Sequence, residues 1–176
     1  MITLLNWLLV SGTGRNVGKT TLVCRILNEI KQMKPVALKI SSHLHPLPED
    51  SDWIIKQNDF VVIRETHQSS KDSSRMLASG ADISFYAQGP DSRLPEILNC
   101  ILGYSIGRPV VCESGGIRNL VVPGIYFLVI GEEKQFKPGI KNLETLADRI
   151  LTYPEIVSTE IEKKISFRNG HWILGF

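Results

Sequence analysis

Gly12-Thr13-Gly14-Arg15-Asn16-Val17-Gly18-Lys19-Thr20-Thr21 decides the reading of this chain. An apolar run, Ile2 to Val10, precedes it, and Leu22, Val23, Ile26, Leu27, Ile30 and Met33 follow at helical spacing. The stretch is therefore a glycine-rich loop between a buried strand and a helix. Glycines let the backbone curl until several N–H groups face one anion, and the helix N-terminus adds its dipole. In that setting Lys19 reaches terminal phosphates as a point charge, and the Thr20 hydroxyl is a Mg²⁺ ligand. The strict pattern places a glycine where Thr13 stands; here the glycine comes at Gly12, so the loop is one residue longer. Every residue from Gly12 through Thr21 is a candidate for nucleotide contact.

Reading outward, Pro35 closes the helical pattern and Val36-Ala37-Leu38-Lys39-Ile40 forms a second buried strand, which makes a strand–helix–strand unit with a right-handed crossover. Residues 41–70 carry Pro46, Pro48, Glu49, Asp50, Asp52 and a β-rich run, Phe60-Val61-Val62-Ile63, and read as an irregular insert that is either a hairpin or a mobile loop. Ser70 caps a short helix bearing Met76, Leu77 and Ala78, stopped by Gly80. Ile83-Ser84-Phe85-Tyr86-Ala87 is the next strand. Asp91 or Ser92 opens a helix with Leu94, Ile97, Leu98, Ile101 and Leu102, Pro95 being tolerated in its first turn. Two short apolar strands follow, Pro109 to Glu113 and Tyr126 to Ile130. Asn142 then caps a helix running through Leu143, Leu146, Ala147 and Ile150. Asn169-Gly170 between alternating runs predicts a C-terminal β-hairpin. Alternating strands and helices predict one α/β domain over residues 1–176, built on a mostly parallel sheet.

The 176 residues are 43% hydrophobic and 22% charged, an ordinary globular composition that excludes disordered and collagen-like chains. Lys and Arg number 20 against 18 acids, and no basic block occurs, so nucleic-acid binding is not expected. Cys24, Cys100 and Cys112 show no CxxC spacing; a disulfide framework or zinc knuckle is not expected, and a reducing cytoplasm fits. The apolar opening has no basic residue before Arg15 and reads as a strand rather than a leader. No apolar run approaches the roughly 20 residues of a membrane helix, so no membrane partner is expected.

The loop resembles those of P-loop NTPases in the group that includes dethiobiotin synthetase and the molybdopterin-guanine dinucleotide biosynthesis protein B family. Its spacing, Gly-Thr-x-x-x-Val-Gly-Lys-Thr, is nearest to the dethiobiotin synthetase form. Three more stretches are similar to the protein B family and come in that family's order: Ala37-Leu38-Lys39-Ile40-Ser41-Ser42-His43-Leu44-His45, then Lys71-Asp72-Ser73-Ser74-Arg75 followed by Ser79-Gly80-Ala81, then Val111-Cys112-Glu113-Ser114-Gly115-Gly116. The resemblance covers Thr3 to Ile130. It implies a P-loop NTPase-type three-layer fold and a cytoplasmic, Mg²⁺-dependent nucleotide-binding protein that hydrolyses GTP slowly. It further implies an adaptor role in molybdopterin guanine dinucleotide synthesis beside a molybdopterin nucleotidyltransferase. The alternative is an ATP-dependent ligase or kinase of the dethiobiotin synthetase type, acting on a small carboxylated molecule. A third reading is a switch that binds nucleotide without turnover and controls a partner surface between Pro46 and His67. A homodimer is compatible with all three.

Glu113 ends an apolar strand on the edge where ligands gather in open α/β sheets, so it is a candidate to hold Mg²⁺ or orient water, and with Lys19 it forms the catalytic pair. Asp72 is either a second acid at the metal or a first-turn acid on the helix dipole. Lys39 closes a buried strand and points toward the phosphate edge. His43, His45, His67 and Cys112 match no compact zinc spacing and read as loop and core residues. Arg15 and Asn16 are candidates for nucleotide contact across a dimer interface. No Asn-Lys-x-Asp element occurs, so the guanine preference comes from the resemblance alone.

Overall fold

Residues Ile2–Gly12 form the central strand, β1, and its alternation divides the interior in two. Successive side chains of a strand point to opposite faces. Trp7 and Leu9 accordingly join one buried cluster, and Leu8 and Val10 the other. The same partition holds along Val36–Ser41 (β2), where Val36, Leu38 and Ile40 face one side and Ala37 the other. The structure, a computed structural model, describes residues 1–67, 69–131 and 140–175.

The remaining elements are Lys19–Glu29 (α1), Asp52–Lys56 (β3), Val61–Arg64 (β4), Asp72–Ala78 (α2), Ile83–Gln88 (β5), Leu94–Leu102 (α3), Val110–Glu113 (β6), Val121–Ile130 (β7), Ile140–Glu144 (α4), Arg149–Thr152 (β8), Tyr153–Ser158 (α5), Ile165–Arg168 (β9) and His171–Leu174 (β10). Eight strands make one sheet in the order β3-β4-β5-β2-β6-β1-β7-β8, parallel from β5 to β8 and antiparallel at β3 and β4. Helix α1 buries Leu22, Val23, Ile26 and Leu27 on one face, where Met76 of α2 and Ile156 of α5 join it. Helix α3 buries Leu94, Ile97, Leu98 and Ile101 on the opposite face. Burying each such side chain contributes about 1.5–3 kcal/mol, so both layers are held by apolar packing. The sheet is therefore covered by helices on both faces, the expected α/β arrangement, and β9 and β10 form the expected antiparallel C-terminal hairpin.

Strand order places the ligand edge. From β1 the chain leaves through α1, on one face; from the adjacent β6 it leaves through residues 114–120, whose Ile117 packs on the other face. Two neighbouring strands whose outgoing connections diverge leave a crevice beyond their C-terminal ends. The loop 13–18 and the end of β6 border that crevice.

Several elements differ from the sequence expectation. Of the two readings of the 41–70 insert the hairpin is the one that forms, and it goes further than expected: β3 and β4 extend the sheet beyond β5, because Phe60, Val61, Val62 and Ile63 gain burial there. The expected helix from Asn142 through Ile150 stops at Glu144, and Arg149–Thr152 becomes strand β8 instead. The open side of β7 offers it backbone partners, and Asp148 anchors the entry, its carboxylate accepting from Tyr126 N–H at 2.7 Å. Helix α1 ends at Glu29 and a 3₁₀ turn, Lys31–Met33, follows, so Met33 is exposed rather than core. Lys71, not Ser70, caps α2. Strand β7 begins at Val121, earlier than Tyr126, and carries Pro123 opposite Leu4 of β1, below the point where β8 pairs. The first two parallel strands are not adjacent, since β6 lies between β1 and β2.

Candidate functional site

The glycine loop is shaped by close contacts. Gly18 adopts φ +101°, and a Cβ there would lie 2.6 Å from Tyr153, so only glycine enters α1 in this way without strain. At Gly12 a Cβ would meet the Lys19 side chain at 2.8 Å, because the lysine stem lies over the strand end. Thr13, which stands where the strict pattern has glycine, ties the loop to β7: its N–H donates to Val129 O at 3.0 Å, and its hydroxyl accepts from Gly131 N–H at 3.0 Å. Lys19 Nζ donates across the loop to Gly14 O at 2.5 Å. The first backbone bond of α1 runs from Leu22 N–H to Gly18 O. Among the described residues, the N–H groups of Gly14, Arg15, Asn16, Val17 and Gly18 meet no protein acceptor. Val17 packs into the core beside Gly131, while Arg15 and Asn16 are exposed on the outside of the loop. Thr21 is half-buried in the first turn of α1.

Beside this loop lies a charged cluster. Glu113, only 2% exposed, is held from two sides: Thr20 Oγ1 donates to Oε2 at 2.7 Å, and Lys39 Nζ donates to Oε1 at 2.5 Å. Lys39 also pairs with Asp72 at 2.9 Å, and Thr20 stands beside Asp72. The register explains the meeting. Lys39 and Glu113 are direct partners across β2 and β6, while α2 begins at Asp72 over the end of β2. Arg75 lies 3.6 Å from Asp72 on the same helix.

Burial pushes the Lys39 ammonium down, but the neighbouring Glu113 and Asp72 carboxylates outweigh it and leave the group above its ordinary value. Burial raises Asp72, yet Lys39, Thr20 and Arg75 together hold its carboxyl below the usual range. Lys39 and Asp72 are therefore both charged at neutral pH. Cys112, wholly buried in the adjacent strand, has its thiol pushed far up by desolvation and is inert.

The structure thus brings Lys19, Thr20, Lys39, Asp72 and Glu113 to one edge. The hard oxygen donors Thr20 Oγ1, Glu113 and Asp72 suit Mg²⁺, which keeps waters and phosphate oxygens in the rest of its shell. Among the described residues no group of three or more His, Cys, Asp or Glu side chains forms a metal cage. His43 and His45 lie in the loop after β2, where Gln88 holds the His45 backbone, and His67 contacts Thr66. Sequence reading missed Ser11, whose hydroxyl donates to Ser114 O at 2.6 Å and fixes the turn after Glu113. It also missed Arg75; the Asp72–Arg75 spacing, one helical turn, was the available signal. No helix among the described residues is long and apolar enough to cross a membrane.

Compared with known proteins, the chain matches no family model, no curated protein and no solved structure.

Proposed function

We propose that this chain is a Mg²⁺-dependent nucleotide-binding protein of the P-loop NTPase type. The observation that carries the reading is the convergence of Thr20, Glu113, Asp72 and Lys39 beside a glycine loop in which the N–H groups of Gly14 to Gly18 meet no acceptor among the described residues. Loop residues Gly14 to Gly18 present backbone donors to the phosphates. Lys19 swings from Gly14 O to the terminal phosphates and stabilises the charge that develops there. Thr20, Glu113 and Asp72 are the residues that would hold Mg²⁺, which would offset the charge of the bound phosphates. Glu113 orients the attacking water.

The resemblance to the molybdopterin-guanine dinucleotide biosynthesis protein B family supports GTP as the nucleotide, slow hydrolysis, a cytoplasmic homodimer, and an adaptor role beside a molybdopterin nucleotidyltransferase. The test is calorimetric titration of GTP and ATP with Mg²⁺, with Lys19→Ala as control. Tight GTP binding that Lys19→Ala abolishes supports the reading. An ATP preference moves it to a ligase or kinase of the dethiobiotin synthetase type. Binding of neither overturns it.

A further inference from the structure

Lys39 stands where a cation is wanted. Its ammonium bonds Glu113 Oε1 at 2.5 Å and Asp72 Oδ2 at 2.9 Å, and Thr20, the third oxygen donor, bonds the other Glu113 oxygen. The lysine side chain is 17% exposed, so the pair is little screened by solvent. A divalent ion arriving alone would have to displace the Lys39 ammonium from two carboxylates. The phosphates of a nucleotide bring negative charge to the same edge and give Lys39 another partner.

We propose that Lys39 is a built-in counter-cation that excludes divalent metal from Thr20, Glu113 and Asp72 until nucleotide arrives, so that metal and nucleotide enter only together. This rests on the nucleotide reading for its purpose, but the exclusion itself is a property of the protein alone.

The experiment titrates Mn²⁺, as a probe for Mg²⁺, into the full chain without nucleotide and reads free Mn²⁺ by electron paramagnetic resonance. Wild type is expected to bind weakly. Lys39→Met and the polar Lys39→Gln are expected to bind Mn²⁺ about tenfold or more tighter, because one unit charge has left the carboxylates. Lys39→Arg keeps the charge and should behave as wild type. Lys56→Met, which removes an exposed positive charge on the far edge strand, should change nothing and so separates local from overall charge. Tight Mn²⁺ binding by wild type, or no gain in folded Lys39→Met and Lys39→Gln, overturns the proposal. The two readings fail separately. Wild type that takes up no nucleotide sinks the function while the Mn²⁺ gain still upholds the exclusion. Nucleotide binding without that gain sinks the exclusion alone.

Discussion

Glu113 is a buried carboxylate that two donors reach from elsewhere in the chain, and the consequence can be read in solution. Removing one partner of a buried pair leaves the other uncompensated, at a cost of about 3 kcal/mol. Lys39→Met should therefore lower urea stability by about that amount near neutral pH. Asp72 lies below its usual 3.8, so its contribution is complete above that value and is lost as pH falls through the depressed one. Lys39 lies above its usual 10.5, so its contribution is complete below that value and is lost as pH rises through the raised one. The gap between wild type and Lys39→Met is thus expected to be flat between the two usual values and to shrink only beyond them. A gap that titrates near neutrality would contradict the pairing. At this scale Lys19 and Thr20 were legible because they belong to one short motif. Asp72 was balanced between two readings, and its contact with Lys39 sets it beside Thr20 and Glu113.

Element boundaries followed local chemistry where that chemistry was strong. Asn169 and Gly170 both take positive φ, as a two-residue hairpin turn requires, and the hairpin formed where the pair predicted it. Helix α5 went unread although its signal was present: Thr152 and Glu155 form a capping box, with Pro154 in the first turn. Gly18 sets the entry to α1. Placing Ala there imposes a left-handed conformation costing about 1–2 kcal/mol and pushes into Tyr153. Gly18→Ala is expected to lower the melting temperature by several degrees, measured by calorimetry, and to weaken nucleotide binding. An unchanged melting temperature would show that the loop enters the helix differently.

Across the whole molecule, the C-terminal hairpin is fastened to the sheet through Trp172, with Ile165 buried in the same cluster. Trp172 is buried on the α1 face, donates from Nε1 to Asn6 O at 2.9 Å, and meets Phe167 edge-on at 5.4 Å. Gly124 lies so close to Leu5 O that a Cβ would sit 2.2 Å away, with Trp172 packed over the same spot. Trp172→Ala should cost about 3–5 kcal/mol of folding stability. Urea denaturation followed by far-ultraviolet dichroism checks this; a loss below 1 kcal/mol would mean the hairpin is not part of the cooperative unit.

What the sequence determined by itself was local: the glycine loop at a strand-to-helix junction, the alternation that makes an α/β chain, and the final hairpin. Each is written within a window of a few residues, as hydrophobic period or turn geometry. The tertiary structure alone decided that β6 runs between β1 and β2, and that Ile150 sits in a strand rather than a helix. It alone set Lys39 against Glu113, 74 positions away. Pairing between distant strands depends on which edges remain open after the rest has packed, and no stretch of local sequence carries that information.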